Sequence, residues 1–153
     1  MKTTANLATN SMIHKLDKTD KKMLYRFYKA QGYSASLMGY DTCYTIKNKH
    51  SEIIAAVIVS QLVQQNQQAL LHGLVVSTEH RNKGLAKNLI KHCVHNHDTV
   101  VCFASRSLKD LYRRAGFSML LNQQIEQHLN QLLITRFRIY QQKQPLLQVF
   151  IQR

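Results

Sequence analysis

The sequence predicts an α/β fold, in which helices flank a mixed, mostly antiparallel sheet with a β-α-β unit in its middle. Three apolar, strand-like runs follow one another between residues 43 and 76, separated by polar turns, as in a run of antiparallel strands. A helical repeat and a short, wholly apolar run at residues 100–104 come next, and such a run is typical of a strand covered on both faces. We expect one domain over residues 1–153, since this length supplies a single core.

The N-terminal part predicts a strand, a helix and a hairpin. The strand is expected near residues 12–16. The helix is predicted by apolar residues at helical spacing, namely Met23, Leu24, Phe27 and Tyr28. Asp17, Thr19 or Asp20 could cap its start, and Gly32 ends it. A short second helical turn is expected within residues 33–40. Residues 43–46 and 53–63 predict two strands of a hairpin joined by the polar turn 47–51.

The remaining elements follow in the same way. A turn at residues 64–68 leads to a third strand at 69–76, and a helix is expected over 83–95. Residues 107–110 read as a capping box that starts the next helix, which Gly116 ends. A strand at 117–121, a long helical repeat from Ile125 to Tyr140, and a terminal strand at 146–151 after Pro145 complete the pattern.

Composition and charge restrict the function classes. Hydrophobic residues make up 44% of the chain and charged residues 19%, which is a globular composition. Lys and Arg number 21 against 8 Asp and Glu, a formal charge of +13. This excess favours an anionic partner such as a phosphorylated cofactor, an acidic substrate or nucleic acid. The basic residues form no dense run, so a solvated cationic surface is the alternative.

The expected location is the cytoplasm, with no membrane partner. The longest apolar run has seven residues, 53–59, which is too short to span a bilayer. The first twelve residues have no apolar core of the kind that a secretion signal needs. Three widely spaced cysteines, Cys43, Cys93 and Cys102, fit reduced thiols.

The strand at 69–76 and the glycine-bearing loop after it form the most informative stretch. Arg81, Gly84 and Ala86 lie where this loop opens the next helix. Glycine allows a ligand to approach the backbone, and a helix start directs unpaired N–H groups and a positive dipole end to one place. Such a place binds phosphate. A helix start with a convenient glycine and no ligand is the alternative.

With its flanking residues, this stretch resembles the acetyl-coenzyme A motif of the GNAT superfamily of N-acetyltransferases. The matching pattern is L-x-V-x-x-x-x-R-x-x-G-x-A, which starts at Leu74 and ends at Ala86. Downstream, residues 111–117 (LYRRAGF) resemble the second signature of the family, a helix with a tyrosine before Gly-Phe. Two signatures in the right order are more specific than either alone.

The resemblance implies an N-acetyltransferase domain that uses acetyl-coenzyme A as co-substrate. The strand backbone would pair with the pantetheine arm, the Val76 N–H would polarise the thioester carbonyl, and the loop would hold the pyrophosphate. The implied cofactor-binding residues are Leu74, Val75, Val76, Arg81, Asn82, Lys83, Gly84, Leu85, Ala86 and Lys87. Tyr112 would be the general acid for the departing thiolate, and an ordinary packed tyrosine is the alternative. Ser105 stands where many members carry an asparagine, so we expect no pantetheine contact there.

No motif fixes the general base. His72 shares a strand face with Leu74 and Val76 and matches a position where arylalkylamine-type relatives carry a histidine. A packed, hydrogen-bonded histidine is the alternative, and Glu79 in the turn is the other candidate base. The cluster His92, Cys93, His95 and His97 lacks a second pair at zinc-like spacing, so we expect no metal.

The function expected first is acetyl transfer to a primary amine of a small molecule or peptide, by direct attack in a ternary complex. An aminoacyl-tRNA acetyltransferase, which would use the basic charge to bind RNA, is one alternative. A non-catalytic coenzyme A-binding domain is the other. The apolar stripe from Ile125 to Tyr140 is expected to build an acceptor-side wall or a homodimer face.

Overall fold

The computed structural model describes residues 13–62 and 67–153. Within them lie seven strands and five α-helices. The strands are β1 (Ile13–Lys15), β2 (Asp41–Lys47), β3 (Ile53–Ser60), β4 (Gln68–Val76), β5 (Thr99–Ser105), β6 (Ser118–Leu120) and β7 (Leu147–Gln152). The helices are α1 (Lys21–Ala30), α2 (Leu85–Asn96), α3 (Lys109–Arg114), α4 (Asn122–His128) and α5 (Gln131–Lys143).

The seven strands form one sheet in the order β1-β2-β3-β4-β5-β7-β6. β4 and β5 are parallel and are connected through α2, whereas the β1–β2, β5–β7 and β6–β7 pairs are antiparallel. The predicted mixed, mostly antiparallel sheet with a β-α-β unit is therefore confirmed. No helix of the described residues is long and apolar enough to cross a bilayer.

The chain divides into two compact units. The first holds the described residues up to Val59 together with Gly73–Ile90, and the second holds those of Ser60–His72 together with Lys91–Arg153. Helix α1 packs its apolar face into the core of the first unit, whose buried members include Leu24, Phe27, Tyr28 and Ile58. In the second unit, α4 and α5 pack on β5, β6 and β7 around Ile125, Leu133, Phe137 and Val149. The single domain remains a prediction.

Three local predictions are wrong. Residues 33–40 contain no helical turn, because side chains engage the backbone there: Leu37 N donates to the Tyr25 hydroxyl and Met38 N donates to the Asp41 carboxylate. The capping box at 107–110 does not form. Instead, Ser105 accepts from Ser107 N and caps a 3₁₀ turn before α3.

The helix predicted from Ile125 to Tyr140 is two helices, α4 and α5. Asn130 breaks the run because its side chain accepts from Leu133 N and starts α5. Gln68 of β4 fixes the break by donating to His128 O at 2.6 Å and accepting from Asn130 N at 2.8 Å. Most of the turn predicted at 64–68 lies outside the described residues, and Gln68 itself begins β4.

Only part of the predicted apolar stripe is free for a partner. Phe137 is buried in the core of the second unit, whereas Leu132 and Tyr140 of the stripe are exposed on α5, as is Ile139, which the stripe did not include. The acceptor wall or homodimer face remains a prediction.

Candidate active site

Strand β4 continues beyond the end of its ladder with β5. The parallel pairs join Gln68 through Leu71 to Thr99 through Cys102 and then stop. Leu74, Val75 and Val76 come after this point, and all three are half-buried. Strand edges outside a ladder carry backbone N–H and C=O groups that can pair with an extended ligand.

Hydrogen bonds hold the chain where it leaves β4. Ser77 N donates to Ile54 O of β3 at 2.9 Å, and the Ser77 hydroxyl is 2.6 Å from His80 Nδ1. Arg81 Nε donates to Val76 O at 3.3 Å. The Arg81 side chain thus contacts the end of the strand that its loop follows.

The loop reaches α2 through two left-handed residues, Asn82 (φ 63°) and Gly84 (φ 79°). A Cβ placed on Gly84 would have no atom within 4 Å, so the space over this backbone is open. The first hydrogen bond of the helix is the one that Asn88 N donates to Gly84 O. The N–H groups of residues 85–87 therefore have no carbonyl partner within the helix.

The side chains around this helix start are small, apolar or cationic. Leu85 is buried and anchors the first turn of α2 in the core. Ala86 and Lys87 are half-buried, whereas Arg81 and Lys83 are exposed. Backbone donors, a positive helix dipole and nearby cations together suit a pyrophosphate.

His72 lies on β4 in the second unit and is half-buried. Its Nε2 atom is 2.7 Å from the hydroxyl of Ser60, a fully buried residue at the end of β3. If Nε2 donates to this hydroxyl, Nδ1 carries the lone pair that can accept a proton. The sequence did not predict Ser60 as a partner, because only the pairing of β3 and β4 aligns the two residues.

Tyr112 lies on α3, where the second signature predicted it, but it is only 3% exposed. Its ring stacks on Phe150, with centroids 5.1 Å apart, and meets Phe117 edge-on. Its hydroxyl is hydrogen-bonded to the Cys102 thiol. Burial, and then the neighbouring Cys102, raise the pKa of Tyr112, so the phenol keeps its proton at neutral pH.

Cys102 is the second residue here that the sequence did not predict. It is buried on β5, and burial raises the pKa of its thiol to about 12 even though the hydrogen bond from Tyr112 lowers it. A neutral thiol is a poor nucleophile.

The other candidates lie as follows. Glu79 is exposed in the 3₁₀ turn after β4. Ser105 uses its hydroxyl to cap the turn before α3. In the part of the chain that the structure describes, no group of three or more His, Cys, Asp or Glu side chains is arranged to hold a metal ion.

Comparison with known proteins agrees with this fold and with the two signatures. A model of the acetyltransferase (GNAT) domain matches residues 14–132. No curated protein matches the sequence.

Solved structures share the fold at low identity. A point mutant of the spermidine N-acetyltransferase from Vibrio cholerae has a TM-score of 0.61 and 12% identity over 91% of this chain and 92% of its own. The ribosomal-protein-S18-alanine N-acetyltransferase from Escherichia coli has a TM-score of 0.60 and 16% identity over 71% and 78%. The N-acetylglutamate synthase from Neisseria gonorrhoeae, in complex with coenzyme A and N-acetyl-glutamate, has a TM-score of 0.63 and 13% identity over 92% and 34%.

The match covers more than half of the chain, and the predicted family and enzyme class are confirmed. The chain belongs to the GNAT family and is an acyl-coenzyme A-dependent N-acetyltransferase.

Proposed function

We propose that this enzyme transfers the acetyl group of acetyl-coenzyme A to the primary amine of a small molecule or peptide, by direct attack in a ternary complex. The observation that carries the proposal is the continuation of β4 past its ladder into an open, left-handed loop at the start of α2. This arrangement offers donors to an extended arm and to a pyrophosphate in sequence.

The proposed binding roles fall to the backbone. Leu74, Val75 and Val76 pair with the pantetheine arm, and the Val76 N–H polarises the thioester carbonyl. The N–H groups of residues 83–87 hold the pyrophosphate, and Arg81 and Asn82 shape the loop that presents them. Backbone donors are fixed before the substrate arrives, so they need no reorganisation during the reaction.

Two side chains are proposed to move protons. The amine nitrogen attacks the thioester carbonyl carbon, a C–N bond forms and the C–S bond breaks. His72 accepts the proton that the amine loses, and Tyr112 gives its proton to the departing thiolate. Ser60 holds the His72 ring through Nε2, and Tyr112 is protonated at neutral pH, as a general acid must be.

The net charge of the chain restricts the class of amine that we expect as acceptor. A net charge of +13 repels polycations and raises the local concentration of anions. We therefore expect a neutral or anionic amine as acceptor, rather than a polyamine. The protein should be tested with acetyl-coenzyme A against glutamate, an alanine-starting peptide and spermidine, with thiol release and the mass of the product as readouts.

A positive result is acetylation of at least one amine, with a lower kcat/KM for spermidine than for a neutral or anionic acceptor. Acetylation of spermidine above all others would contradict the charge argument but leave the reaction intact. If acetyl-coenzyme A binds but no amine in a broad panel gains an acetyl group, the proposed reaction is wrong.

His72→Gln tests the proposed base. Histidine ordinarily titrates near pH 6.5, and only the neutral ring accepts a proton. We expect kcat/KM of the parent to rise with pH through such an ionisation, and His72→Gln to lose this rise and reach a lower plateau. The titration of the amine itself adds a second rise at higher pH in both proteins.

Ser60→Ala is the matched control for His72→Gln. It removes the hydroxyl that bonds to the ring but keeps the imidazole. The lower-pH rise in kcat/KM should therefore persist, with its midpoint free to shift. An unchanged pH profile in His72→Gln would mean that the amine loses its proton by another route, such as Glu79 or water, and that His72 is a packed residue.

A second candidate acceptor is an aminoacylated RNA, and one surface favours it. Lys22, Arg26 and Lys29 are exposed at four- and three-residue intervals on α1, which places them on one helix face. The two ion pairs found among the described residues involve Arg113 and Arg138, so neither includes these three cations. A row of exposed cations fits a phosphate backbone.

Replacing these three residues together with Gln tests the RNA candidate. If RNA is the acceptor, kcat/KM for aminoacylated RNA should fall, and its decrease with salt should become less steep, by about one unit of slope for each lost phosphate contact. Turnover of a small amine should not change. Equal RNA activity in variant and parent, or no RNA activity at all, would reject this candidate.

A further inference from the structure

Strand β4 changes its backbone conformation at Gly73. The ladder with β5 ends two residues earlier, at Leu71, and the residues proposed to bind pantetheine start one residue later, at Leu74. Gly73 has φ 62°, in the left-handed region that side chains disfavour. A glycine of this kind inside a strand redirects the chain that follows it. The orientation of the proposed binding residues thus depends on how Gly73 is held.

One buried side chain holds Gly73. The hydroxyl of Tyr28, from α1, donates to Gly73 O at 2.6 Å, although 45 positions separate them in the chain. The Tyr28 side chain is 1% exposed, and its ring packs against the rings of Phe27 and Tyr33. Burial raises the pKa of Tyr28 well above its ordinary value, so this donor keeps its proton.

The fit between the two residues is close. A Cβ at Gly73 would lie 3.0 Å from the Tyr28 hydroxyl oxygen and 3.4 Å from Cδ1 of Ile58. Glycine is therefore required twice, by its φ angle and by its contact with Tyr28. An Ala at this position would strain the backbone and require the Tyr28 hydroxyl to shift by a few tenths of an ångström.

We propose that Tyr28 is a positioning residue for the acyl-coenzyme A site, which fixes the Gly73 carbonyl and through it the direction in which β4 presents Leu74, Val75 and Val76. It acts through the backbone and does not touch the substrate. This inference rests on the proposed binding of the pantetheine arm along β4.

Tyr28→Phe and Tyr25→Phe form a matched pair. Both tyrosines belong to α1 and both hydroxyls bond to backbone, but that of Tyr25 accepts from Leu37 N at 2.9 Å, in the segment between α1 and β2. Each variant loses one hydrogen bond to the backbone, which is buried for Tyr28 and partly buried for Tyr25, so Tyr28→Phe should lose at least as much stability in urea unfolding as Tyr25→Phe. Calorimetry should show coenzyme A binding to Tyr28→Phe roughly three- to tenfold more weakly, and to Tyr25→Phe as to the parent.

Amide exchange gives a second readout. In Tyr28→Phe, residues 73–76 should exchange faster than in the parent even without coenzyme A, while Tyr25→Phe should leave them unchanged. Gly73→Ala should also weaken coenzyme A binding, because it disturbs the contact between Tyr28 and Gly73 from the side of the strand. Adding Tyr28→Phe to it removes the crowded hydroxyl, so stability should partly return while affinity stays low.

The outcomes separate the two proposals. A parent that does not bind coenzyme A overturns the proposed binding mode, and this inference with it. A parent that binds, with Tyr28→Phe binding equally well, overturns only the positioning role. Equal losses of affinity in Tyr28→Phe and Tyr25→Phe would also overturn it, because α1 would then act only through general stability.

Discussion

Tyr112→Phe is expected to lower kcat by about 10²-fold or more while leaving the affinity for acetyl-coenzyme A unchanged. The phenol of Tyr112 is protonated at neutral pH, and its proton would stabilise the thiolate as the C–S bond breaks. Phenylalanine keeps the ring and its contacts with Phe150 and Phe117 but has no proton to give. Steady-state turnover and calorimetry on the same preparation measure the two effects.

Cys102→Ala is the control that separates catalysis from packing. It removes the thiol that is the hydrogen-bond partner of the Tyr112 hydroxyl but leaves the phenol in place. If Tyr112 is the acid, Cys102→Ala should turn over much faster than Tyr112→Phe. Equal activities of the two variants, or a Tyr112→Phe enzyme as fast as the parent, would mean that Tyr112 is a packed core residue.

Gly84→Val is expected to weaken acetyl-coenzyme A binding by about tenfold or more, which corresponds to about 1.4 kcal/mol. Open space lies over the Gly84 backbone, so the valine side chain would occupy the place proposed for the pyrophosphate. Valine also disfavours the positive φ angle, which would disturb the start of α2. Calorimetric titration with acetyl-coenzyme A measures the change.

Gly32→Val controls for the backbone strain. Gly32 has φ 75°, close to the 79° of Gly84, and a Cβ there also has no atom within 4 Å. Both variants should therefore lose similar stability, but only Gly84→Val should lose affinity. Equal binding by Gly84→Val and the parent would show that the loop does not hold the pyrophosphate.

The fold and the loop could be predicted because their signals are local. The apolar run of β4, the glycine at Gly84 and the polar residues between them lie within twenty residues of sequence, and each acts on its own stretch of backbone. The two-helix arrangement of α4 and α5 was missed for the opposite reason. The helix is interrupted before Asn130, where Gln68, which is distant in sequence, forms hydrogen bonds to the backbone of both His128 and Asn130.

The same limit applies to the partners of the site residues. The hydrogen bonds between Ser60 and His72 and between Tyr28 and Gly73 join separate elements, and no periodicity of the sequence indicates which side chains meet across them. A signal for the second pair was present, since a glycine inside a strand pattern indicates a bend or a close approach. The sequence therefore marks Gly73 but does not indicate that Tyr28 is the side chain that contacts it.

Amide exchange with and without coenzyme A tests the central claim most directly, namely that the substrate lies along the end of β4 and over the start of α2. We predict slower exchange on binding at residues 74–76 and 83–87, and no change in the exposed turn between β2 and β3. Coenzyme A that binds and leaves exchange at 74–76 and 83–87 unchanged would contradict the claim.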